Sequence, residues 1–195
     1  GDFMEPRELL TICRRAEKLK SAARHSMTSE GCMESVAAHS WRLTFMAYFL
    51  KDEFPEADID KVIRMCIFHD MGEAFTGDIP TFLKTGGDED TEREILDQWV
   101  QSLPEPYCSD LAALYEEMEA LQTPEARIYK ALDKLEAVIQ HNEADISTWL
   151  PLEYDLNLTY GTEQVQFSDY MKALKAEINR DTLDKIREAG GPPAL

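Results

Sequence analysis

The most informative segment of the chain is IFHDMGEAFTGDIP, residues 67–80, which follows an apolar segment. It places four ionisable side chains within ten positions: His69, Asp70, Glu73 and Asp78. A helix that buries its apolar face should not end in an adjacent histidine and aspartate, because burying a charge without a partner is costly. The segment therefore predicts that these side chains bind a ligand or are paired with other polar groups of the protein.

The helix that leads into this stretch has a clear apolar face. Its inward residues are predicted to be Ile59, Val62, Ile63, Cys66 and Ile67. Asp58 or Asp60 is positioned to cap its start. His69 follows Cys66 by three positions, so the His-Asp pair lies on or next to the buried side.

A second histidine is predicted to point inward from another helix, over residues 33–53. The apolar stripe of that helix is Val36, Leu43, Met46, Ala47 and Leu50, and His39 falls within it. Neutral imidazoles and an ionised aspartate are good ligands for Zn, Mn, Co or Fe, so a divalent metal would resolve the buried charge. The alternative is ordinary: His39 is a satisfied core histidine, Asp70 caps a turn and Glu73 is solvated.

A fourth ligand is predicted at Asp133, in a helix that begins at the cap Thr123 and runs to about Ile146. Asp133 lies off the main apolar stripe, on a side shared with Ala126, Tyr129 and Ala137. That side can form a second buried face. The pattern equally allows a surface aspartate paired with Arg127 or Lys130.

The remaining periodicity predicts an all-α chain. Further helices are expected over 6–19, 91–103, 108–121 and 168–189, and loops over 20–32, 71–90 and 147–166. In the first helix Leu9, Leu10, Cys13 and Leu19 are expected to face inward. The helix over 91–103 is expected to begin at Thr91, with Glu94 completing a capping box. The acidic run 86–94 is expected to be a solvated loop and helix start.

The composition restricts the class of protein. The chain has 195 residues and a net charge of −18, so its surface repels DNA, RNA and anionic membranes. Its longest apolar run, LTFMAYFL (43–50), is too short to span a bilayer. Four scattered cysteines indicate reduced thiols, and no signal peptide is visible, so a cytoplasmic protein is expected.

Three segments together carry a family resemblance: VAAHS (36–40), FHDMGEAFTGDIP (68–80) and ALDKLEA (131–137). Their order and spacing resemble the H…HD…D pattern of the HD-domain metal-dependent phosphohydrolases. The extended second motif is similar to the HDxxExxTGD of the branch containing the bacterial 5′-deoxynucleotidases. The resemblance spans about residues 15–145 and implies one all-α HD-domain helical bundle, residues 1–195, closed by the C-terminal helix 168–189.

The resemblance also implies roles for individual residues. The ligands of one divalent metal would be His39, His69, Asp70 and Asp133. Glu73 matches the glutamate beside the attacking water. Asp78 matches the aspartate that contacts the sugar and helps to organise the nucleophile, and Arg24 matches the arginine aimed at the phosphate. Glu34 and Ser35 match a Glu-Ser pair, interpreted as helix-start residues.

One position departs from the branch. The deoxynucleotidases typically place a tryptophan for sugar selection directly after the arginine, where this chain has His25. His25 is therefore a substrate-binding candidate, and a preference for 2′-deoxy substrates does not follow from the motifs. The alternative interpretation is a surface loop histidine.

The expected function is the metal-dependent removal of phosphate from nucleoside or deoxynucleoside 5′-monophosphates. Two alternatives remain: hydrolysis of another phosphate ester or nucleotide (a triphosphate, cyclic dinucleotide or alarmone), or a catalytically silent metal-binding scaffold. The resemblance implies a homodimer. An apolar surface patch for such a dimer could include Trp41, Trp99 and Trp149. The metal, whether Mn, Co, Zn, Fe or Ni, and the base and sugar preference are left open.

Overall fold

The computed structural model describes residues 4–76 and 84–193. Helices dominate it, and in chain order the elements are α1 (Pro6–Ala16), a 3-10 turn (Glu17–Lys20), β1 (Ala23–Met27), β2 (Met33–Ser35), α2 (Val36–Phe49), α3 (Ile59–Phe68), α4 (Glu73–Thr76), α5 (Gly86–Gln101), α6 (Tyr107–Ala120), α7 (Pro124–Glu143), a second 3-10 turn (Ile146–Thr148), α8 (Glu153–Thr159) and α9 (Asp169–Glu188).

Helix α7 is the centre of the bundle, because α2, α3, α6 and α9 all pack against it. Its start is the predicted one: the Thr123 hydroxyl accepts a hydrogen bond from the amide of Ala126, and Pro124 occupies the first helical position. Asp58 caps α3 and Ser168 caps α9 in the same way. Around α7 lies one apolar core that includes Leu43, Val62, Met65, Ile128, Leu132, Leu135 and Met171.

Helix α1 differs from the prediction. It contains no buried residue: Leu9 and Leu10 are about half exposed, and Cys13 is exposed as well. Only Leu19, in the following 3-10 turn, is buried. The regular spacing of apolar residues identifies a helix face correctly, but it carries no information about whether another element covers that face.

Helix α5 begins earlier than predicted. Its cap is Thr85, whose hydroxyl pairs with the amide of Asp88 in a capping box, so the helix starts at Gly86. The hydroxyl of Thr91 instead donates to the carbonyl of Gly87 within the helix. The first acidic residues of the run 86–94 stabilise the helix start, where the helix dipole favours negative charge, and the expected loop is therefore helical.

A small sheet lies where the sequence predicted the loop 20–32 and the first residues of the helix 33–53, which instead begins at Val36. Strands β1 and β2 are antiparallel, with Ala23 opposite Ser35 and Met27 opposite Met33. Between these two pairs the chain advances four residues in β1 but only two in β2, so β1 contains a bulge. In a regular strand consecutive side chains point to opposite faces, but Arg24, His25 and Ser26 all line one cavity here.

Other boundaries also differ. The helix expected to run to about Ile146 ends at Glu143, and the expected loop 147–166 contains α8. Ile67, predicted to face inward, is 47% exposed, whereas Val62 and Cys66 on the same helix are fully buried.

Helix α2 has two apolar faces. The inner face carries the predicted stripe, with Val36, Leu43 and Ala47 fully buried. The outer aromatic face, which we define as Trp41, Phe45, Tyr48 and Phe49, is more than half exposed. Of the three tryptophans expected to supply apolar surface, only Trp41 is exposed, since Trp149 is buried and Trp99 partly so. Among the described residues, no helix is both long and apolar enough to cross a membrane.

Candidate metal centre and substrate cavity

Four side chains from three parts of the bundle converge on one point. His39 comes from α2, His69 and Asp70 follow α3, and Asp133 comes from α7. The Nε2 atom of His39 lies 3.0 Å from Oδ1 of Asp133, and Nε2 of His69 lies 3.0 Å from Oδ2 of Asp70 and 3.2 Å from Oδ1 of Asp133. One donor atom from each of the four lies within 4.8 Å of the others. The structure therefore brings together the whole predicted ligand set.

The end of α3 fixes the orientation of His69. Its Nδ1 atom donates to the carbonyl oxygen of Cys66 at 2.8 Å, which leaves Nε2 facing the cluster. The phenol of Tyr115 donates to the carbonyl of Phe68 at 2.7 Å and satisfies another group that the helix end leaves open. Hydrogen bonds to the last carbonyls of α3 therefore fix the backbone that carries His69 and Asp70.

The charges in the cluster reinforce one another. Burial alone would raise the pKa values of Asp70 and Asp133, but the neighbouring histidines outweigh it and hold both pKa values below the usual range. Burial would likewise lower the pKa of His69, yet the two aspartates raise it well above its ordinary value. The two ionised aspartates therefore favour a positive charge, whether a proton or a cation, at the point where the four side chains meet.

The donor set fits a divalent metal ion. The Nε2 atoms of His39 and His69 are only 3.3 Å apart and face each other, so their lone pairs need a proton or a cation between them. Two imidazoles and two ionised carboxylates around one point are the ligands that Zn, Mn, Co, Fe and Ni accept. A metal would take the place of the proton that the aspartates otherwise hold on the histidines.

Glu136 stands behind the cluster and was missed in the sequence. Its carboxylate bonds Nδ1 of His39, and it accepts a second bond from Nε of Arg42 at 3.0 Å. Glu136 is fully buried, and burial would raise its pKa, but His39 and Arg42 outweigh burial and lower it. A carboxylate behind a ligand histidine fixes the tautomer and the ring orientation.

A signal for Glu136 was present in the sequence. It follows Leu132 by four positions and precedes Ile139 by three, so it lies within the apolar stripe of α7. A carboxylate in such a stripe needs a buried cationic or hydrogen-bonding partner.

Asp133 is both an inward-facing donor and a partner of Lys130, the two interpretations that its sequence pattern allowed. It lies between Ala126 and Tyr129, which are buried, and Ala137, which is half-buried. Its Oδ1 atom faces the two histidines, while its Oδ2 atom lies 4.0 Å from Nζ of Lys130 along the helix. The ion pair and the inward-facing donor therefore coexist.

Arg24 reaches the cluster from the bulged strand. Its Nη1 atom lies 3.4 Å from Oδ2 of Asp70, and its Nε atom lies 3.3 Å from Oε1 of Glu34. Burial is the main reason that the pKa of Glu34 rises to about 7. Glu34 is thus a buried partner of Arg24, whereas Ser35 is the helix-start residue that was predicted and caps α2 through the amide of Ala38.

A cavity of about 240 Å³ opens beside the cluster. Its wall includes Asp70 and Asp133 at one end, together with Arg24, Glu73 and Lys84. Glu73, at the start of α4, is only 4% exposed, and its Oε1 atom lies 4.0 Å from Nζ of Lys84. Asp78, the other predicted catalytic residue, lies outside the described residues.

His25 lines the same cavity at its other end. Its Nε2 atom lies 3.2 Å from Oε1 of Glu153, a carboxylate that is 2% exposed. The ring contacts a buried partner and lines the cavity, yet 38% of the side chain is exposed, so the cavity-wall and surface interpretations of His25 coexist.

These features agree with a family match. A family model described as HD domain matches residues 16–175, most of the chain. The chain belongs to the HD-domain family. The all-α HD fold and the hydrolase class predicted from the motifs are thereby confirmed.

Several characterised relatives are similar over most of the chain. The proteins named 5′-deoxynucleotidase HDDC2 from Bos taurus and from Homo sapiens are each 33% identical over 141 residues, covering 70% of this chain and 68% of theirs. A solved structure described as a predicted metal-dependent phosphohydrolase from Magnetospirillum magnetotacticum MS-1 covers 98% of this chain and 100% of its own, with a TM-score of 0.77 and 24% identity. That likeness shows the fold.

Proposed function

We propose that this protein is a metal-dependent phosphomonoesterase that removes phosphate from nucleoside or deoxynucleoside 5′-monophosphates. The observation that carries the proposal is the shared cavity, whose wall joins two members of the four-residue cluster, Asp70 and Asp133, to the guanidinium of Arg24 and the buried carboxylate of Glu73. The relatives named 5′-deoxynucleotidase support the substrate class. The whole chain is then a single HD domain.

We propose that His39, His69, Asp70 and Asp133 hold one divalent metal. Such an ion lowers the pKa of water in its coordination sphere and polarises a phosphoryl oxygen. Mn, Co, Zn, Fe and Ni all accept imidazole with carboxylate, so the ligand types leave the element open.

Glu73 is the general base of this proposal. Its buried carboxylate faces the cavity beside the cluster, where it accepts a proton from the attacking water and can return one to the leaving sugar oxygen. Lys84, within 4.0 Å, favours the ionised form that accepts the proton.

Arg24, Asp78 and His25 complete the proposed substrate contacts. The guanidinium of Arg24 projects into the cavity beside Asp70, where it can bind two phosphate oxygens and stabilise the charge that develops on them. Asp78 is proposed to contact the sugar. His25, in place of a tryptophan, is proposed to admit a ribose as well as a deoxyribose, because the imidazole is smaller and polar.

The experiment is phosphate release from each ribonucleoside and deoxyribonucleoside 5′-monophosphate, with added Mn, Co or Zn and a chelated control. Metal-dependent release from these substrates is expected, and comparable release from AMP and dAMP would support the role of His25. Bound metal with no release from any of them would contradict the proposal and favour another phosphate substrate. A protein that neither binds metal nor releases phosphate would favour the silent scaffold.

We further propose a homodimer formed through the outer aromatic face of α2. Its rings already contact one another along the helix in tilted pairs, with centroids 5.5 Å apart for Trp41 and Phe45 and 5.0 Å apart for Phe45 and Phe49. An exposed apolar patch of this kind is typical of an interface between protein chains. A reducing compartment such as the cytoplasm suits the four free thiols of Cys13, Cys32, Cys66 and Cys108.

A further inference from the structure

The cavity continues well beyond the metal ligands. Along α7 its wall includes Asp133, Ala137 and His141, which are four residues apart and share one helix face. A rise of 1.5 Å per residue places the ends of this row about 12 Å apart. A nucleotide with its phosphate at the cluster would therefore extend its sugar past Ala137 and bring its base toward His141.

The far end contains a buried carboxylate that the proposed mechanism does not use. Glu153 accepts a hydrogen bond from the amide of Leu150 at 2.8 Å and contacts His25 at 3.2 Å. Nδ1 of His141 lies 3.8 Å from Oε2 of Glu153, the oxygen that accepts from Leu150, whereas His25 contacts Oε1. Burial lowers the pKa of His141 to about 4, so this ring is neutral at physiological pH and leaves part of the acceptor capacity of Glu153 open.

Asn157 lies one turn further along α8, on the same face as Glu153 and in the wall of the same cavity. The residue is 3% exposed, and among the described residues the Nδ2 atom has no hydrogen-bond partner. A buried donor without an acceptor costs free energy, which makes it an unusual feature that calls for a ligand or a water. Leu156 and Ala137 supply apolar surface between this end and the cluster.

We propose that Glu153 and Asn157 form a base subsite, in which Asn157 Nδ2 donates to a ring nitrogen or carbonyl of the nucleobase and Glu153 accepts from its amino or ring N–H group. Each common base presents a donor next to an acceptor on one edge, which this pair matches. The inference rests on the proposed function, since it assigns the non-phosphate end of that substrate. Glu153 also positions His25 beside the sugar.

The test measures equilibrium binding of the two reaction products separately to the metal-loaded protein, by calorimetry. The probes are the eight common ribonucleosides and deoxyribonucleosides, and inorganic phosphate. Asn157→Leu and Glu153→Gln should each weaken nucleoside binding roughly tenfold, the size of one lost hydrogen bond, and leave phosphate binding unchanged. Asp155→Asn is the matched control, because Asp155 is on the same helix but exposed.

Three results would overturn the subsite. These are a wild-type protein that binds no nucleoside, an Asn157→Leu variant with unchanged nucleoside affinity, and an equal loss of phosphate binding in a variant that melts like wild type. Asn157→Leu decides the matter if Glu153→Gln fails to fold. Nucleoside binding that depends on Asn157, in a protein that releases no phosphate, would sustain the subsite and reject the proposed phosphatase activity.

Discussion

The inner and outer faces of α2 have similar apolar character but opposite surroundings. On the inner face His39 is fully buried among core residues and meets Glu136 and Asp133. On the outer face Phe45 is 51% and Phe49 67% exposed. A polar residue in a buried apolar stripe therefore points to a face that meets other polar groups inside the bundle, whereas an exposed aromatic row is a candidate surface for the proposed dimer.

The largest effect is expected on the inner face. His39→Asn removes a proposed metal ligand, so metal-dependent phosphate release should fall by about a thousandfold or more. Metal content, measured by elemental analysis, should fall with it, and added metal should no longer raise the melting temperature. An asparagine variant that retains both metal and activity would remove His39 from the ligand set.

Glu73→Gln distinguishes metal binding from catalysis. The amide keeps the size of the buried side chain but cannot accept the proton, so turnover should fall by about 10² to 10⁴. Elemental analysis should give the same metal content as wild type. Full turnover in this variant would show that Glu73 is not the general base.

Glu136→Gln tests the support behind the inner face. Because the carboxylate orients His39, the metal dissociation constant should rise by about 10- to 100-fold. Glu143→Gln is the matched control: Glu143 also accepts from Arg42, at 2.9 Å, but its side chain is 43% exposed, and in the described part of the chain it makes no hydrogen bond or ion pair with His39. Equal effects of the two variants would assign the change to Arg42 instead.

The smallest effect on catalysis is expected on the outer face. Phe45→Glu combined with Phe49→Glu should convert a dimer into a monomer in light scattering, because charges repel across a two-fold interface. Metal content and turnover per chain should stay near the wild-type values. Leu183→Glu, which changes an exposed leucine on α9, is the control. A double variant that remains dimeric would place the interface elsewhere.

Sequence reasoning succeeded where the cause is local. The cap of α7 lies at the predicted Thr123, and that of α3 lies at Asp58, one of the two predicted candidates, because a side chain and an amide three residues later determine a cap. The inward direction of His39 follows from its place in the stripe of α2. The convergence of the four donors followed from the motifs, although their individual roles remain predictions.

It failed where the cause is distant. Whether Leu9 and Leu10 are covered depends on elements that the pattern of α1 does not specify. The burial of Glu136 depends on His39 and Arg42, which are more than ninety residues away in the chain. The sheet is short and bulged, so it has no alternation from which strands are recognised.

The order of residues in β1 has a consequence for substrate preference. Because Arg24 and His25 are adjacent in β1 and both line the cavity, the proposed phosphate contact and the proposed sugar contact lie side by side in the chain. Under these proposed roles, a substitution at position 25 changes which sugars or bases are accepted, while Arg24 continues to bind phosphate. Substrate preference can then change at one position without any change in the proposed metal ligands.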